Sequence, residues 1–324
     1  MRVLIAEDDA IFRRILESTL GKWGYEVVAA VDGGEAWSIL QSPASPKLVV
    51  LDWMMPGLDG VEICRRVRQE QTKPYTYILL LTAKGKREDL ITALEAGADD
   101  FVVKPFNPLE LKGRLRAGAR ILDLQDELLA AREELHYLAT HDSLTGLWNR
   151  SAVLDQLNRA LARSERQRVP LAVAIADVDH FKTVNDTYGH SIGDAVLREI
   201  AARMTASVRP YDTVGRYGGE EFLIIFEGCN APEAIQLAER LCSRVSLEQI
   251  RVGDVSLSGT ISLGIATVPT ATPGIADALI RTADVGLYAA KRRGRNCVAA
   301  AALQESSDRP DLCLSYTSNT TQKN

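Results

Sequence analysis

Short apolar runs alternate with amphipathic stretches along the first hundred residues. The runs are rich in Val, Ile and Leu and occupy residues 2–6, 26–30, 48–52, 77–82 and 100–103. Each run is separated from the next by a stretch with the apolar spacing of a helix. This alternation predicts an α/β fold, with a doubly wound parallel sheet covered by helices.

A second pattern begins near residue 107, where the chain reads as one long helix without Pro or Gly after Gly118. Apolar residues recur along it at spacings of three and four, at Ile121, Leu124, Leu128, Ala131, Leu135 and Leu138. This heptad seam fits either a helix packed on its own domain or a dimerising coiled-coil stalk. We favour a stalk over residues 121–140.

A third region, from Leu171 onward, mixes a hairpin with strands that are joined by helices. The pattern predicts strands over 171–177, 257–268 and 296–300, a strand pair over 213–226, and helices over 193–208, 231–245 and 275–293. Such mixing is typical of an α+β domain. The Ser- and Thr-rich composition of residues 301–324 predicts a disordered tail.

The composition is that of ordinary globular domains: of 324 residues, 46% are hydrophobic and 25% are charged. This length suggests two domains of about 150 residues each. No apolar run approaches the roughly 18 residues of a membrane helix, and the N-terminus turns acidic early, so we expect a cytoplasmic protein without membrane contact. The five cysteines are scattered without a C-x-x-C pair, which argues against a disulfide framework or a zinc site.

The net charge of -5 lies mostly in the connector between the two large segments. Residues 1–120 and 141–300 each balance acid against base, whereas residues 121–140 carry five acidic side chains and one basic side chain. A DNA-binding regulator needs clustered Lys and Arg to neutralise phosphates. We therefore expect no direct DNA binding.

Acidic residues collect at the predicted carboxyl ends of the first strands, where sheets of this class bind ligands. Asp8 and Asp9 follow the first strand, and Asp52 ends the third. Three crowded carboxylates repel one another, and Mg2+, which prefers oxygen ligands, would neutralise them and prepare Asp52 to attack phosphorus. Lys104 would pair with the added charge, and Thr82 would donate a hydrogen bond to a phosphoryl oxygen.

These strand ends form a set of motifs: EDD at 7–9, DWMMPG at 52–57, LTA at 81–83 and VKPF at 103–106. The set resembles the receiver domain of bacterial response regulators, over about residues 1–120. The resemblance implies a flavodoxin-like fold, phosphorylation of Asp52 by a histidine kinase, and Mg2+ held by Asp8 or Asp9, Asp52 and the Met54 carbonyl. The implied switch residues are Thr82, Phe101 and Lys104.

A second group of acidic candidates lies in the α+β region. Asp177 ends a predicted strand, and a hairpin around Gly218-Gly219 carries Glu220 and Glu221. The glycines permit a tight turn with backbone open to a ligand, and acidic groups at both places would share a metal.

Basic and polar residues near these acids suit a nucleotide. Lys182 and the run KRRGR at 291–295 supply donors for a polyphosphate. Asn185 and Asp194 offer an amide and a carboxylate that can read the edge of a purine. Taken singly, each feature also has an ordinary structural explanation, such as a turn or a helix-dipole partner.

Jointly these residues resemble the GGDEF family of diguanylate cyclases, over about residues 138–300. The motifs are HDSLTGLWNR at 141–150, DVDHFK at 177–182, NDTYGH at 185–190, GD at 193–194, the variant GGEEF at 218–222 and KRRGRN at 291–296. The resemblance implies condensation of two GTP molecules into cyclic di-GMP with release of pyrophosphate. It also implies a ferredoxin-like palm fold similar to that of polymerases and nucleotidyl cyclases.

The same resemblance implies roles for individual residues. Asp177, the Val178 carbonyl and Glu220 would hold Mg2+ in a two-metal site, and Arg216 would stabilise the transition state. Either Glu220 or Glu221 would accept the proton of the attacking hydroxyl, and the sequence leaves that choice open. The implied GTP-binding residues are Phe181, Lys182, Asn185, His190, Asp194, Lys291 and Arg295.

Regulation is implied at two levels. One domain holds one GTP, so the two-fold symmetry of the product requires a homodimer, whose arrangement the helix from 107 to 140 would adjust after phosphorylation. Arg209 and Asp212 stand at the position of the family's product-inhibition site, and Arg240 on the following helix would join them.

The predicted organisation is a receiver at 1–120, a helical stalk at 121–140, a GGDEF domain at 141–300 and the tail at 301–324. The main rival is a catalytically inactive GGDEF module that acts as a receptor for GTP or cyclic di-GMP. Degenerate modules typically lose motif acids, whereas Asp177, Glu220 and Glu221 are all present here.

Overall fold

The computed structural model describes residues 1–70, 74–83 and 87–303, with the backbone alone for residues 87–90. The chain divides into two compact units, residues 1–134 and 135–324. Of the predicted disordered tail, residues 301–324, the part from 304 onward lies outside the described residues, and Ala301 belongs to a strand. None of the helices in the described ranges has the length and apolar character needed to cross a membrane.

The first unit is built on a five-stranded parallel sheet, as the sequence predicts, and its strand order is β2-β1-β3-β4-β5. The strands are β1 (Arg2–Ala6), β2 (Glu26–Ala30), β3 (Leu48–Asp52), β4 (Tyr77–Thr82) and β5 (Asp100–Val103). The helices are α1 (Ala10–Lys22), α2 (Gly33–Leu40), α3 (Gly60–Gln69), α4 (Arg87–Glu95) and α5 (Pro108–Thr140).

Alternation along the strands fills two cores, one on each face of this sheet. Leu4 of β1 packs with residues of α2 and α3, whereas Val3 and Ile5 pack with α1 and α5. Because successive side chains of a strand point to opposite faces, an apolar run such as residues 2–6 serves both cores.

The second unit contains a five-stranded mixed sheet in the order β12-β11-β6-β8-β7, in which only the β11–β12 pair is parallel. Its strands are β6 (Leu171–Val178), β7 (Thr213–Gly218), β8 (Glu221–Glu227), β11 (Ile261–Val268) and β12 (Val298–Ala301). Its helices are α6 (Arg150–Gln167), α7 (Phe181–Tyr188), α8 (His190–Ser207), α9 (Ala231–Ser246) and α10 (Ala276–Arg292).

One predicted strand differs in the structure. The run 257–268 is divided between β11 and the end of a small antiparallel hairpin, formed by β9 (Ile250–Val252) and β10 (Val255–Leu257). The break contains Gly259, where an added Cβ would lie 2.6 Å from the Ile250 side chain. This close packing accounts for a residue without a side chain at the break.

Helix α10 lies unusually close to the sheet because β11 contains Gly264. A Cβ at Gly264 would lie 1.9 Å from the Leu287 backbone nitrogen and 2.0 Å from the Ala283 carbonyl oxygen. No real Cβ tolerates such contacts, so the missing side chain allows the helix to dock on the sheet. The last turn of the same helix carries Lys291.

We expect Gly264→Ala to destabilise the second unit by about 1–3 kcal/mol, because the contacting atoms belong to the α10 backbone and cannot rotate away. Urea unfolding measures the loss. Gly21→Ala, inside α1 with no atom near its added Cβ, is the matched control and should be neutral or stabilising by up to about 1 kcal/mol. Equal stabilities for Gly264→Ala and the wild type would contradict the close docking.

Candidate functional site

The first unit gathers three carboxylates at the carboxyl ends of β1 and β3. One oxygen each of Glu7, Asp8 and Asp52 lies within 4.8 Å of the others. Glu7 is buried, and burial raises the pKa of its carboxyl, helped by the nearby Asp52 charge and opposed by a hydrogen bond from Lys104. The donor set is all oxygen, which suits Mg2+.

Asp9 is not part of this cluster, in contrast to the sequence-based expectation. Its Oδ1 accepts hydrogen bonds from the backbone amides of Ile11 and Phe12, at 2.8 and 3.0 Å, and so caps the start of α1. These bonds lower the pKa of Asp9. As the N-cap, Asp9 directs its carboxylate toward the helix. Glu7, the first acid of the motif, lies beside Asp52 instead.

Lys104 neutralises the acidic cluster from the end of β5. Its Nζ lies 2.7 Å from Glu7 Oε2 and 3.1 Å from Asp52 Oδ1, and 4.5 Å from the centre of the Phe12 ring. Among the other predicted residues, Thr82 is fully buried at the end of β4 and Phe101 packs against the core. The Met54 side chain is exposed, which leaves only its backbone as a candidate ligand.

The second unit brings Asp177, Glu220 and Glu221 to one edge of its sheet. Asp177 of β6 pairs in register with Glu221 of β8, and the Val178 amide donates to the Glu220 carbonyl at 3.2 Å. Burial raises the pKa of Asp177 and that of Glu221, and the negative charges of neighbouring acids raise both pKa values further. The hairpin turn depends on Gly219, whose φ is 52°.

Lys291 holds this acidic edge together. Its Nζ lies 2.8 Å from Asp177 Oδ2 and lowers the pKa of that carboxyl against the effect of burial. Within the part of the chain that the structure describes, the three acids do not converge as tightly as the cluster of the first unit. Lys291 is the counter-ion of Asp177 in this structure.

The candidate base-reading residues lie on two consecutive helices. Asn185 belongs to α7 and Asp194 to α8, and both are half-buried. The Asn185 amide packs directly over Gly193, where an added Cβ would lie 1.9 Å from Oδ1. The missing side chain of Gly193 therefore leaves room for the Asn185 amide.

The other predicted GTP-binding residues differ in their exposure. Phe181 is buried at the start of α7, whereas the remaining three predicted residues, Lys182, His190 and Arg295, are exposed.

Arg216 makes contacts that the sequence did not indicate. Its Nη1 donates to both carboxylate oxygens of Asp142, at 3.0 and 3.1 Å, and its Nε donates to the Gly219 carbonyl at 2.9 Å. Burial raises the pKa of Asp142, but hydrogen bonds from Thr145 and Arg216 outweigh it, so the pKa lies below its ordinary value. A role for Arg216 at the transition state stays a prediction. Asp142 lies in the HDSLTG motif, which was its only signal.

Arg209 and Asp212 form a compact polar group beside Cys229. The Asp212 carboxylate accepts hydrogen bonds from the Arg209 amide at 3.0 Å and from its Nε at 3.3 Å. The Arg209 guanidinium also contacts Cys229 Sγ, which no sequence pattern predicted. Asp212 Oδ1 is buried without a hydrogen-bond partner among the described residues. The Arg240 guanidinium donates to the Ser207 carbonyl at 2.7 Å.

Comparison with known protein families matches both units. The response regulator receiver domain matches residues 3–116, and the diguanylate cyclase, GGDEF domain matches residues 139–297. The chain therefore belongs to the response regulators that combine a receiver domain with a GGDEF domain.

Individual relatives share this architecture or part of it. The response regulator PleD of Caulobacter vibrioides is 33% identical over 302 residues, which are 92% of this chain and 65% of PleD. The bifunctional diguanylate cyclase/cyclic di-GMP phosphodiesterase MucR of Pseudomonas aeruginosa is 41% identical over 182 residues, 56% of this chain and 26% of MucR. The chain thus spans about two-thirds of the length of PleD.

One solved structure extends the comparison to three dimensions. The coiled coil and GGDEF domain of DgcB from Caulobacter crescentus, in complex with c-di-GMP, aligns with a TM-score of 0.50 at 36% identity. The alignment covers 56% of this chain and 98% of the DgcB chain.

We expect Lys291→Met to lower the melting temperature of the metal-free second unit, because Asp177 loses its cation. The pair is partly exposed, so the loss is about 1 kcal/mol, or a few degrees. Added Mg2+ should then raise the melting temperature of Lys291→Met more than that of the wild type. Lys182→Met removes an exposed lysine that forms no ion pair with described residues, and its Mg2+ response should match the wild type. Equal responses from all three proteins would contradict the counter-ion role.

Proposed function

We propose that this protein condenses two GTP molecules into cyclic di-GMP under the control of phosphorylation at Asp52. The observation that carries the proposal is the acidic edge of the second sheet. Asp177 and Glu221 pair on adjacent strands there, Glu220 lies in the hairpin turn directly before Glu221, and Lys291 supplies a positive charge. This is the set of charges that a nucleotide triphosphate and a divalent cation require.

Both acidic edges fit Mg2+ by their chemistry. In the second unit, Asp177, the Val178 carbonyl and Glu220 would hold the cation, and in the first unit Asp8, Asp52 and the Met54 carbonyl, with Glu7 alongside. Each set consists of oxygen donors around a buried carboxylate that a lysine now neutralises. When bound, the cation supplies Lewis-acid polarisation of phosphoryl oxygens.

Different residues around the acidic edge of the second unit would bind different parts of GTP. Lys182, Lys291 and Arg295 would bind the triphosphate, where negative charge grows on the leaving pyrophosphate. Asn185 and Asp194 would read the guanine edge, with Phe181 and His190 beside them.

A carboxylate accepts the proton of the 3'-hydroxyl. Glu220 and Glu221 are both candidates, and burial raises the pKa of Glu221, which strengthens it as a base. The hydroxyl oxygen then attacks the α-phosphorus of the second GTP, the bond to the pyrophosphate breaks, and pyrophosphate leaves with its electron pair.

Activity requires two such domains, because each holds one GTP and each hydroxyl attacks the other nucleotide. The heptad seam of α5 supports pairing: Leu124 is 55% exposed, Leu128 70% and Leu135 67%. Leucines exposed at this spacing bury their apolar surface when two helices pair. We propose that the homodimer forms along this seam.

Control comes from the receiver domain. A histidine kinase would phosphorylate Asp52, which adds negative charge next to Lys104 and Thr82. Lys104 now divides its charge between Glu7 and Asp52. A phosphoryl group would draw Lys104 toward itself, and α5, which begins at Pro108, would carry the change to the paired helices.

The Arg209 group suits feedback by the product. Arg209 is held by Asp212 and by the Tyr211 hydroxyl, which accepts from Nη1 at 2.9 Å. The cation is thus pre-oriented for a phosphate or a guanine edge. We propose that cyclic di-GMP binds there, with Arg240 contributing a further charge.

Incubation with GTP and Mg2+ should yield cyclic di-GMP, identified by chromatography and mass spectrometry. Glu220→Gln should slow formation by at least about 100-fold, because the edge loses a charged oxygen ligand. Glu227→Gln, at the far end of the strand that follows Glu220, is the control and should keep wild-type activity. Binding of GTP without any product, with or without acetyl phosphate, would support the receptor alternative instead.

Arg209→Ala should weaken product inhibition by about tenfold or more while leaving the initial rate of GTP consumption unchanged. The measurement is the initial rate at increasing cyclic di-GMP concentration. Arg163→Ala removes another arginine that pairs with an acid on the same unit, and it should be inhibited like the wild type. Inhibition of Arg209→Ala at wild-type product concentrations would show that the product acts elsewhere.

A further inference from the structure

Asp179 stands two residues after Asp177 and is buried, yet it does not face a cation. Its Oδ1 accepts a hydrogen bond from Ser262 Oγ at 2.7 Å. Its Oδ2 accepts from Thr260 Oγ1 at 2.8 Å and from the Asn296 amide at 3.0 Å. Three protein donors thus satisfy one carboxylate, whereas the Asp177 carboxylate is paired with a lysine.

The Asn296 contact reaches the segment between α10 and β12. Gly294, Arg295 and Asn296 all have left-handed backbone conformations, with φ of 107°, 65° and 45°. Two consecutive non-glycine residues in this region carry strain that the surrounding contacts must overcome. One such contact is the hydrogen bond that the Asn296 backbone amide donates to the Asp179 carboxylate. Another is the hydrogen bond from the Arg295 backbone amide to the Ala290 carbonyl.

We propose that Asp179 is a positioning residue, which fixes the 294–296 turn so that Arg295 binds the GTP phosphates. This inference rests on the proposed function. Asp177 in β6 and Asp179 directly after the strand would then serve two separate purposes: the charge of Asp177 binds the cation, and the hydrogen bonds of Asp179 hold the turn. Asp179 acts through Arg295 and does not itself touch the cation.

The choice of substitution follows from the donors. In Asp179→Asn, the amide oxygen can still accept from Asn296 and Thr260, while its NH2 group donates to Ser262 Oγ, because a hydroxyl both donates and accepts. In Asp179→Ala, all three donors lose their partner. A hydrogen-bonding role therefore tolerates Asn, whereas a metal ligand needs the negative charge.

The test compares these variants in the full chain. Asp179→Ala should raise the KM for GTP about tenfold with kcat changed less than about threefold, and Asp179→Asn should restore KM to within about threefold of wild type. Asp177→Asn should lose activity, since its charge is needed. A tenfold rise in KM for Asp179→Asn, or a higher Mg2+ requirement for that variant, would overturn the positioning role.

A double-mutant cycle locates the path of the effect. Asp179→Ala combined with Arg295→Ala should bind GTP no more weakly than Arg295→Ala alone, because both changes remove the same contact. Additive losses would overturn the proposal.

Binding of a non-reacting GTP analogue with a methylene bridge between the α- and β-phosphates provides a second readout. This binding measurement separates the positioning role of Asp179 from the proposed synthesis of cyclic di-GMP. Even if the wild type forms no cyclic di-GMP, a weaker affinity of Asp179→Ala for the analogue still shows that Asp179 positions the turn. If Asp179→Ala does not fold, as judged by thermal unfolding, the Asp179→Asn result decides alone: near wild-type affinity supports the proposal and a tenfold loss contradicts it.

Discussion

Each unit of the protein places carboxylates at the end of buried strands, and this arrangement is stable only if a cation offsets their repulsion. One lysine does so in each unit. Lys104 lies 2.7 Å from Glu7 and 3.1 Å from Asp52, and Lys291 lies 2.8 Å from Asp177. Each acidic edge therefore depends on a single lysine. A metal ion would compete with that lysine for the carboxylates, and a phosphate would compete with the carboxylates for the lysine.

The fold delivers these lysines by different routes. Lys104 directly follows β5, so the parallel sheet itself aligns it with the ends of β1 and β3. Lys291 comes from the last turn of α10, and that helix reaches the sheet only because Gly264 has no side chain. In the second unit, close backbone packing on one face of the sheet thus determines the electrostatics of its edge.

The sequence predicted the parts of the fold that depend on continuous apolar runs. The strand predicted over 171–177 is found as Leu171–Val178, and all eight of its residues are buried, as a continuous apolar run requires. The sequence did not predict the short β9 and β10, because their six residues include exposed side chains and show no clear alternation of apolar and polar positions. Asp9 was misplaced because three adjacent acids look alike in sequence, whereas only the backbone decides which one caps α1.

Long-range contacts were also beyond reach of the sequence. The bond from Arg216 to Asp142 joins residues 74 positions apart, and that from Asn296 to Asp179 joins residues 117 positions apart. No spacing rule connects such pairs, and only the three-dimensional fold brings them together. The motifs gave the residue types of the site, and the structure supplied their partners.

Control through Asp52 is measured most directly by the GTP turnover of the wild type and of Asp52→Asn, each with Mg2+ and with or without acetyl phosphate. We predict that acetyl phosphate raises the rate of cyclic di-GMP formation by the wild type and leaves the rate of Asp52→Asn unchanged. Equal turnover by Asp52→Asn and the phosphorylated wild type would contradict control through Asp52.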